Sequence, residues 1–136
     1  MDNLKPSQMM HIGGGVLIVL STFLNWWSFG DGDFSASSNA WSTDSYGIMG
    51  ILLFAIGVVL AGGGIMAATG NDENLPDEVL GLNRNQLHVA LGFAAFVPTF
   101  GFQFAREAAI GITLGWIGAV LVIASAIMEQ NESAEA

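Results

Sequence analysis

Residues 47–68 read GIMGILLFAIGVVLAGGGIMAA, a run without a charged side chain or a polar face, and how that run is read decides the fold. At about 1.5 Å of rise per residue, a helix of this length crosses the roughly 30 Å hydrocarbon core of a bilayer. The other reading, a buried helix of a small soluble protein, needs amphipathic neighbours that turn polar faces to water. Three more windows of similar length, residues 9–29, 87–104 and 108–128, are also apolar and also lack such a face. The pattern predicts an all-α integral membrane protein: one domain over residues 1–136, its four transmembrane helices forming an up-down bundle. An acidic disordered tail is expected at residues 129–136.

Composition points the same way. The chain of 136 residues is 52% hydrophobic and 11% charged, whereas a soluble domain carries about 25% charged residues. Its three basic residues, Lys5, Arg84 and Arg106, face twelve acidic ones, and the net charge is -9. Nucleic acids and anionic lipid surfaces are held by clustered Lys and Arg, so neither is expected as a partner. The absence of cysteine removes disulfides, thiolate metal sites and thiol chemistry.

The first window has a second alternative, a cleaved signal peptide. Lys5 would supply its positive end, but no small-x-small cleavage site follows the apolar run directly; Ser38-Asn39-Ala40 lies beyond an acidic stretch. The window is therefore expected to stay as the first span. The short connection at residues 105–109 makes spans three and four a tight antiparallel hairpin. In the longer connection at residues 70–86, Pro76-Asp77-Glu78 reads as the first turn of a short helix, and Asn85 as the N-cap of span three.

Orientation follows from Lys and Arg. Lys5 and Arg84 fall on one side and Arg106 on the other, which predicts both termini inside, N-in/C-in, in a multi-pass protein of the cell membrane. The loop at residues 30–46, without Lys or Arg, then lies outside, where Trp26, Trp27, Trp41, Tyr46, Phe104 and Trp116 would form an interfacial aromatic belt.

Small residues at helical spacing mark expected helix contacts: Gly57 and Ala61 in span two, and Gly111, Gly115 and Ala119 in span four. Such strips serve packing inside a bundle or contact with a second subunit. Gly62, Gly64 and Ala67 match a G-x-G-x-x-A fingerprint in form only, since no strand precedes them. Phe93, Phe96, Phe100 and Phe104 make one stripe on span three, where Pro98 is a kink site. On span one, His11, Gly14, Ser21, Asn25 and Ser28 share a face that should turn inward.

Three constellations bear on chemistry. His11 and His88 begin spans one and three at the same membrane face, a candidate pair for a ligand, a metal, a haem or a pH-sensitive contact. Asp31-Gly32-Asp33 opens like a calcium loop but has Ala36 and Ser42 where glycine and glutamate are required, so no metal is expected. Ser21, Asn25, Thr99 and Thr113 are candidates for a polar path. No nucleophile elbow, H-E-x-x-H or P-loop lysine is present, and no span carries the carboxylate that ion-coupled transporters use. The expectation is a non-catalytic accessory, assembly or regulatory subunit without a cofactor, meeting the lipid bilayer and a membrane-protein partner or further copies of itself. An oligomeric channel or facilitator is the alternative, and a bis-histidine haem carrier the second alternative.

Overall fold

The computed structural model describes residues 5–29, 36–39, 47–71, 78–104 and 109–135. Four helices dominate them: α1 (Pro6–Phe23), α2 (Gly47–Ala68), α3 (Arg84–Gln103) and α4 (Ile110–Glu135). Two short antiparallel hairpins join them, β1 (Asn25–Phe29) with β2 (Ala36–Asn39), and β3 (Glu78–Val79) with β4 (Leu82–Asn83). By length and composition α2, over Gly50–Ala68, and α4, over Ile110–Asn131, can each cross a membrane.

Several boundaries differ from the sequence reading. The window at residues 9–29 splits: its helix stops at Phe23, and Asn25–Phe29 turns into strand, as suits a segment with two tryptophans and a phenylalanine. The expected short helix after Pro76 is instead a hairpin, because Leu80 (φ 55°) and Gly81 (φ 81°) form a two-residue turn that pairs Val79 with Leu82; Pro76 and Asp77 lie outside the described residues. Asn83, not Asn85, caps α3: its side chain accepts from Gln86 N at 2.9 Å while Gln86 Oε1 accepts from Asn83 N at 3.0 Å. Asn85 donates to Ala126 O on α4 at 2.8 Å. The tail expected to be disordered continues α4 to Glu135, where Glu, Gln and Ala carry high helix propensity. α3 runs through Pro98 as one element.

Neighbouring helices are antiparallel. His11 lies against Gly64 and Gly15 against Ala61, which sets α1 against α2. Ser21 lies near Gly115 and Gly14 near Val122, which sets α1 against α4; Thr99 near Gly115 and Gly92 near Ile123 set α3 against α4. The α1–α4 pair is central, with α2 flanking α1 and α3 flanking α4. The central crossing is close because Gly14 and Gly118 meet there: a Cβ on Gly14 would lie 2.6 Å from Gly118 O, and one on Gly118 would lie 2.7 Å from Gly14 O.

Small polar side chains share the interior with an apolar core that includes Ile18, Leu53, Leu60, Ile112 and Val122, and many large apolar side chains face outward. Ser7, His11, Ser21, Thr22, Thr99 and Ser125 are buried, while Leu20, Ile51, Val59, Val97, Ile110 and Ile127 are exposed. The buried hydroxyls bond carbonyls of their own helices: Ser21 donates to Ile18 O at 2.6 Å, Thr22 to Val19 O at 2.7 Å, Thr99 to Ala95 O at 2.6 Å and Ser125 to Val122 O at 2.6 Å. The interior can thus hold them without water.

At one end the β1–β2 hairpin is locked to the bundle through Trp26. A register shift between Asn25 and Trp27 leaves Trp26 bulged out of the ladder, the geometry that re-aims a side chain. The indole is fully buried, donates to Ser21 O at 2.8 Å and packs on Phe102. Its backbone carbonyl accepts from Ala109 N at 2.8 Å, next to the start of α4. Trp26 is therefore a core residue rather than part of an interfacial belt.

Candidate functional site

The cavity at the opposite end draws on all four helices. Its volume is about 230 Å3; α1 supplies Lys5 at its N-cap and His11, α2 supplies Gly63 and Gly64, α3 supplies Arg84 and His88, and α4 supplies Glu129. Both histidines and two of the three basic residues of a chain carrying -9 thus share one small space.

The local sequence explains how each group arrives. Pro6 opens α1, with Gln8 Oε1 accepting from Lys5 N at 3.0 Å, which leaves the Lys5 side chain at the helix mouth. Arg84 follows the Asn83 cap directly, so its position is set by the first turn of α3, and His88 stands one turn further on the same face. Gly64 makes room for His11: a Cβ there would lie 2.7 Å from the imidazole Cδ2. The residues of the apparent dinucleotide fingerprint thus lie within a continuous helix, and Gly64 serves packing.

The two imidazoles touch, with ring centroids 4.3 Å apart and planes tilted by 56°. His11 Nε2 lies 2.8 Å from Leu60 O. A carbonyl only accepts, so Nε2 carries the proton and donates. Nδ1 faces Ser125 Oγ at 3.5 Å, and that hydroxyl directs its own proton to Val122 O. His88 Nδ1 is buried without a hydrogen-bond partner, a cost of about 1–3 kcal/mol for a polar atom left unsatisfied. Haem ligation from both faces holds its imidazoles on opposite sides of a macrocycle; here the rings are in direct contact. Among the described residues no group of three or more His, Cys, Asp or Glu could hold a metal ion.

The other candidate residues lie elsewhere. Ser21 and Thr99 are buried on either side of Gly115, which a Cβ would bring to 2.9 Å from Thr99 and 3.3 Å from Ser21. Thr113 is half-buried and donates to Gln103 Oε1 at 2.6 Å, an oxygen that also accepts from Trp116 Nε1 at 2.9 Å. The Asn25 side chain, Asp31, Asp33, Ala36 as a side chain and Ser42 lie outside what the structure describes. Gly57 sits against Val19 and Gly15, Ala61 against Gly15, and Gly111 and Ala119 are buried in α4. The Gly14–Gly118 crossing, the Trp26 anchor and the Gln103 junction escaped the sequence reading. The Asn83-to-Gln86 spacing was a visible capping signal; the other three depend on partners distant in sequence.

The comparisons with known proteins give no relative to set beside this geometry: no family model, no curated protein and no solved structure matches the chain.

Proposed function

We propose that the chain is a four-span membrane protein, N-in/C-in, acting as a non-catalytic accessory, assembly or regulatory subunit that docks sideways onto another membrane protein. The observation that supports this reading is the outward face of α2. Over Gly50–Ala68 the mean hydropathy is 2.4 and 28% of the stretch is buried, whereas the core helix of a soluble protein is mostly enclosed. α2 packs chiefly on α1 and leaves Ile51, Ala55, Val59 and Gly62 exposed along its length. Nothing lies within 4 Å of a Cβ built at Gly62, so a partner backbone can approach closely at that point. α1 and α3 complete the four spans in this reading, with apolar side chains such as Leu20 and Val97 turned outward.

The test is native mass spectrometry of the complex extracted gently from its own membrane, with a photocrosslinking residue at Val59 or at Val97. A second polypeptide in fixed stoichiometry, crosslinked from Val59 and not from Val97, is the expected result. The chain alone, as a monomer or homo-oligomer in every extraction, would overturn the reading.

A further inference from the structure

The two touching imidazoles differ in what they offer a further proton. His11 Nε2 donates to Leu60 O, and Nδ1 faces Ser125 Oγ across 3.5 Å. That hydroxyl directs its own proton to Val122 O, so it turns lone pairs toward the ring. A proton added at His11 Nδ1 therefore meets an acceptor. His88 Nδ1 is buried without a hydrogen-bond partner, and a proton there meets none. Charging both rings would also set two positive groups 4.3 Å apart between centroids, a separation at which like charges resist sharing one site. Among the described residues, the charged groups lining the same space are Lys5 on α1, Arg84 on α3 and Glu129 on α4, while α2 brings only Gly63, Gly64 and Ala67. Glu129 attracts a charged imidazole, and Lys5 and Arg84 repel it.

We propose that the His11–His88 contact is a proton-operated catch, closed while at most one ring is charged and opened when both are, with the start of α3 swinging away from α1. His88 is the ring that moves. His11 is enclosed by Leu60, Gly64 and Ser125, whereas His88 is half-buried on the first turns of α3. α1 and α3 each pack along α4 but only sparsely on each other, so parting the rings leaves the α1–α4 and α3–α4 crossings in place. The open state binds more protons than the closed one, so lowering the pH favours opening.

The experiment uses the full chain in neutral detergent. The chain has no cysteine, so spin labels on Met9→Cys and Ala90→Cys, at exposed positions of α1 and α3, report a single distance by pulsed electron paramagnetic resonance. The pH is lowered from about 8 to about 4, a range that brackets ordinary histidine titration, while 15N-histidine resonances of the unlabelled chain count the protons on each ring. One short distance is expected while no ring or one ring is charged. A longer distance should then rise about tenfold in population as the second ring takes its proton. His88→Phe keeps an aromatic ring that cannot be charged, and His88→Gln is a smaller uncharged replacement; either should hold the short distance throughout. A second ring that never charges in this range, two charged rings at an unchanged distance, or lengthening before the second ring charges would each overturn the proposal. So would the same opening in both uncharged variants. None of these outcomes depends on a partner subunit or on the number of membrane spans.

Discussion

Glycine at two positions does opposite things in this chain. At Gly14 a methyl group would meet Gly118 O at 2.6 Å and Val122 Cγ2 at 2.8 Å, so both backbone and side chain block it. At Gly62 a methyl group meets nothing within 4 Å, on an exposed helical surface. Gly14→Ala is therefore expected to destabilise the bundle by about 1–3 kcal/mol, the usual cost of overpacking. Gly62→Ala should be neutral or stabilising by up to ~1 kcal/mol, since alanine is the better helix former. Thermal unfolding of both variants in detergent checks the pair, and equal effects would contradict the α1–α4 crossing. In sequence the two glycines look alike, each lying in a glycine triplet within an apolar run; only the opposing backbone separates them.

At the scale of elements, the start of α3 shows how local rules compete. Asn83 and Asn85 are both cap-forming residues next to the apolar run, and Gln86 decides between them by returning a hydrogen bond to the Asn83 backbone. The hairpin before it turns through Leu80, 95% exposed and at φ 55°, a conformation that costs an L-residue roughly 1–2 kcal/mol. Asn tolerates it, and Asn-Gly is the preferred pair for such a turn. Leu80→Asn is expected to stabilise the β3–β4 hairpin by up to about 1 kcal/mol, read as slower amide exchange at Val79 and Leu82. Faster exchange would count against a left-handed backbone at this position. On α3 the phenylalanine stripe is a run of contacting rings: Phe96 stacks on Phe100 at 4.9 Å, and Phe100 meets Phe104 and Trp116 edge-on at 5.2 and 5.6 Å. The spacing of those rings was legible; the Trp116 contact needed α4.

For the whole molecule, the decisive property is where apolar side chains end up. Val59 is 56% exposed in the middle of α2. In water Val59→Arg would be nearly silent, as exposed substitutions usually are. In a bilayer an arginine at the centre of a span costs about 2.5–3.5 kcal/mol, so this variant is expected to lower membrane-inserted protein severalfold in a carbonate-extraction or glycosylation-mapping assay, with Val59→Leu unchanged. Full insertion of the arginine variant would count against a bilayer around α2.

The sequence by itself determined that there are four helices and roughly where they lie, because each apolar window is far longer than a strand needs, although the end of the first, Asn25–Phe29, became strand. Residues 47–68 coincide with α2 for this reason. It also determined that the charges collect at helix ends and connections. Tertiary structure alone decided which helices are central, which glycines are crossings, and that Trp26 belongs to the core. These helices have little contrast between faces, so the pattern of apolar residues cannot say which side turns inward; that choice falls to backbone approach and hydrogen bonds between distant residues. The His11–His88 contact shows the division. Their shared depth follows from positions in the chain, but the 4.3 Å approach exists because Gly64 leaves space for one ring and the antiparallel packing delivers the other.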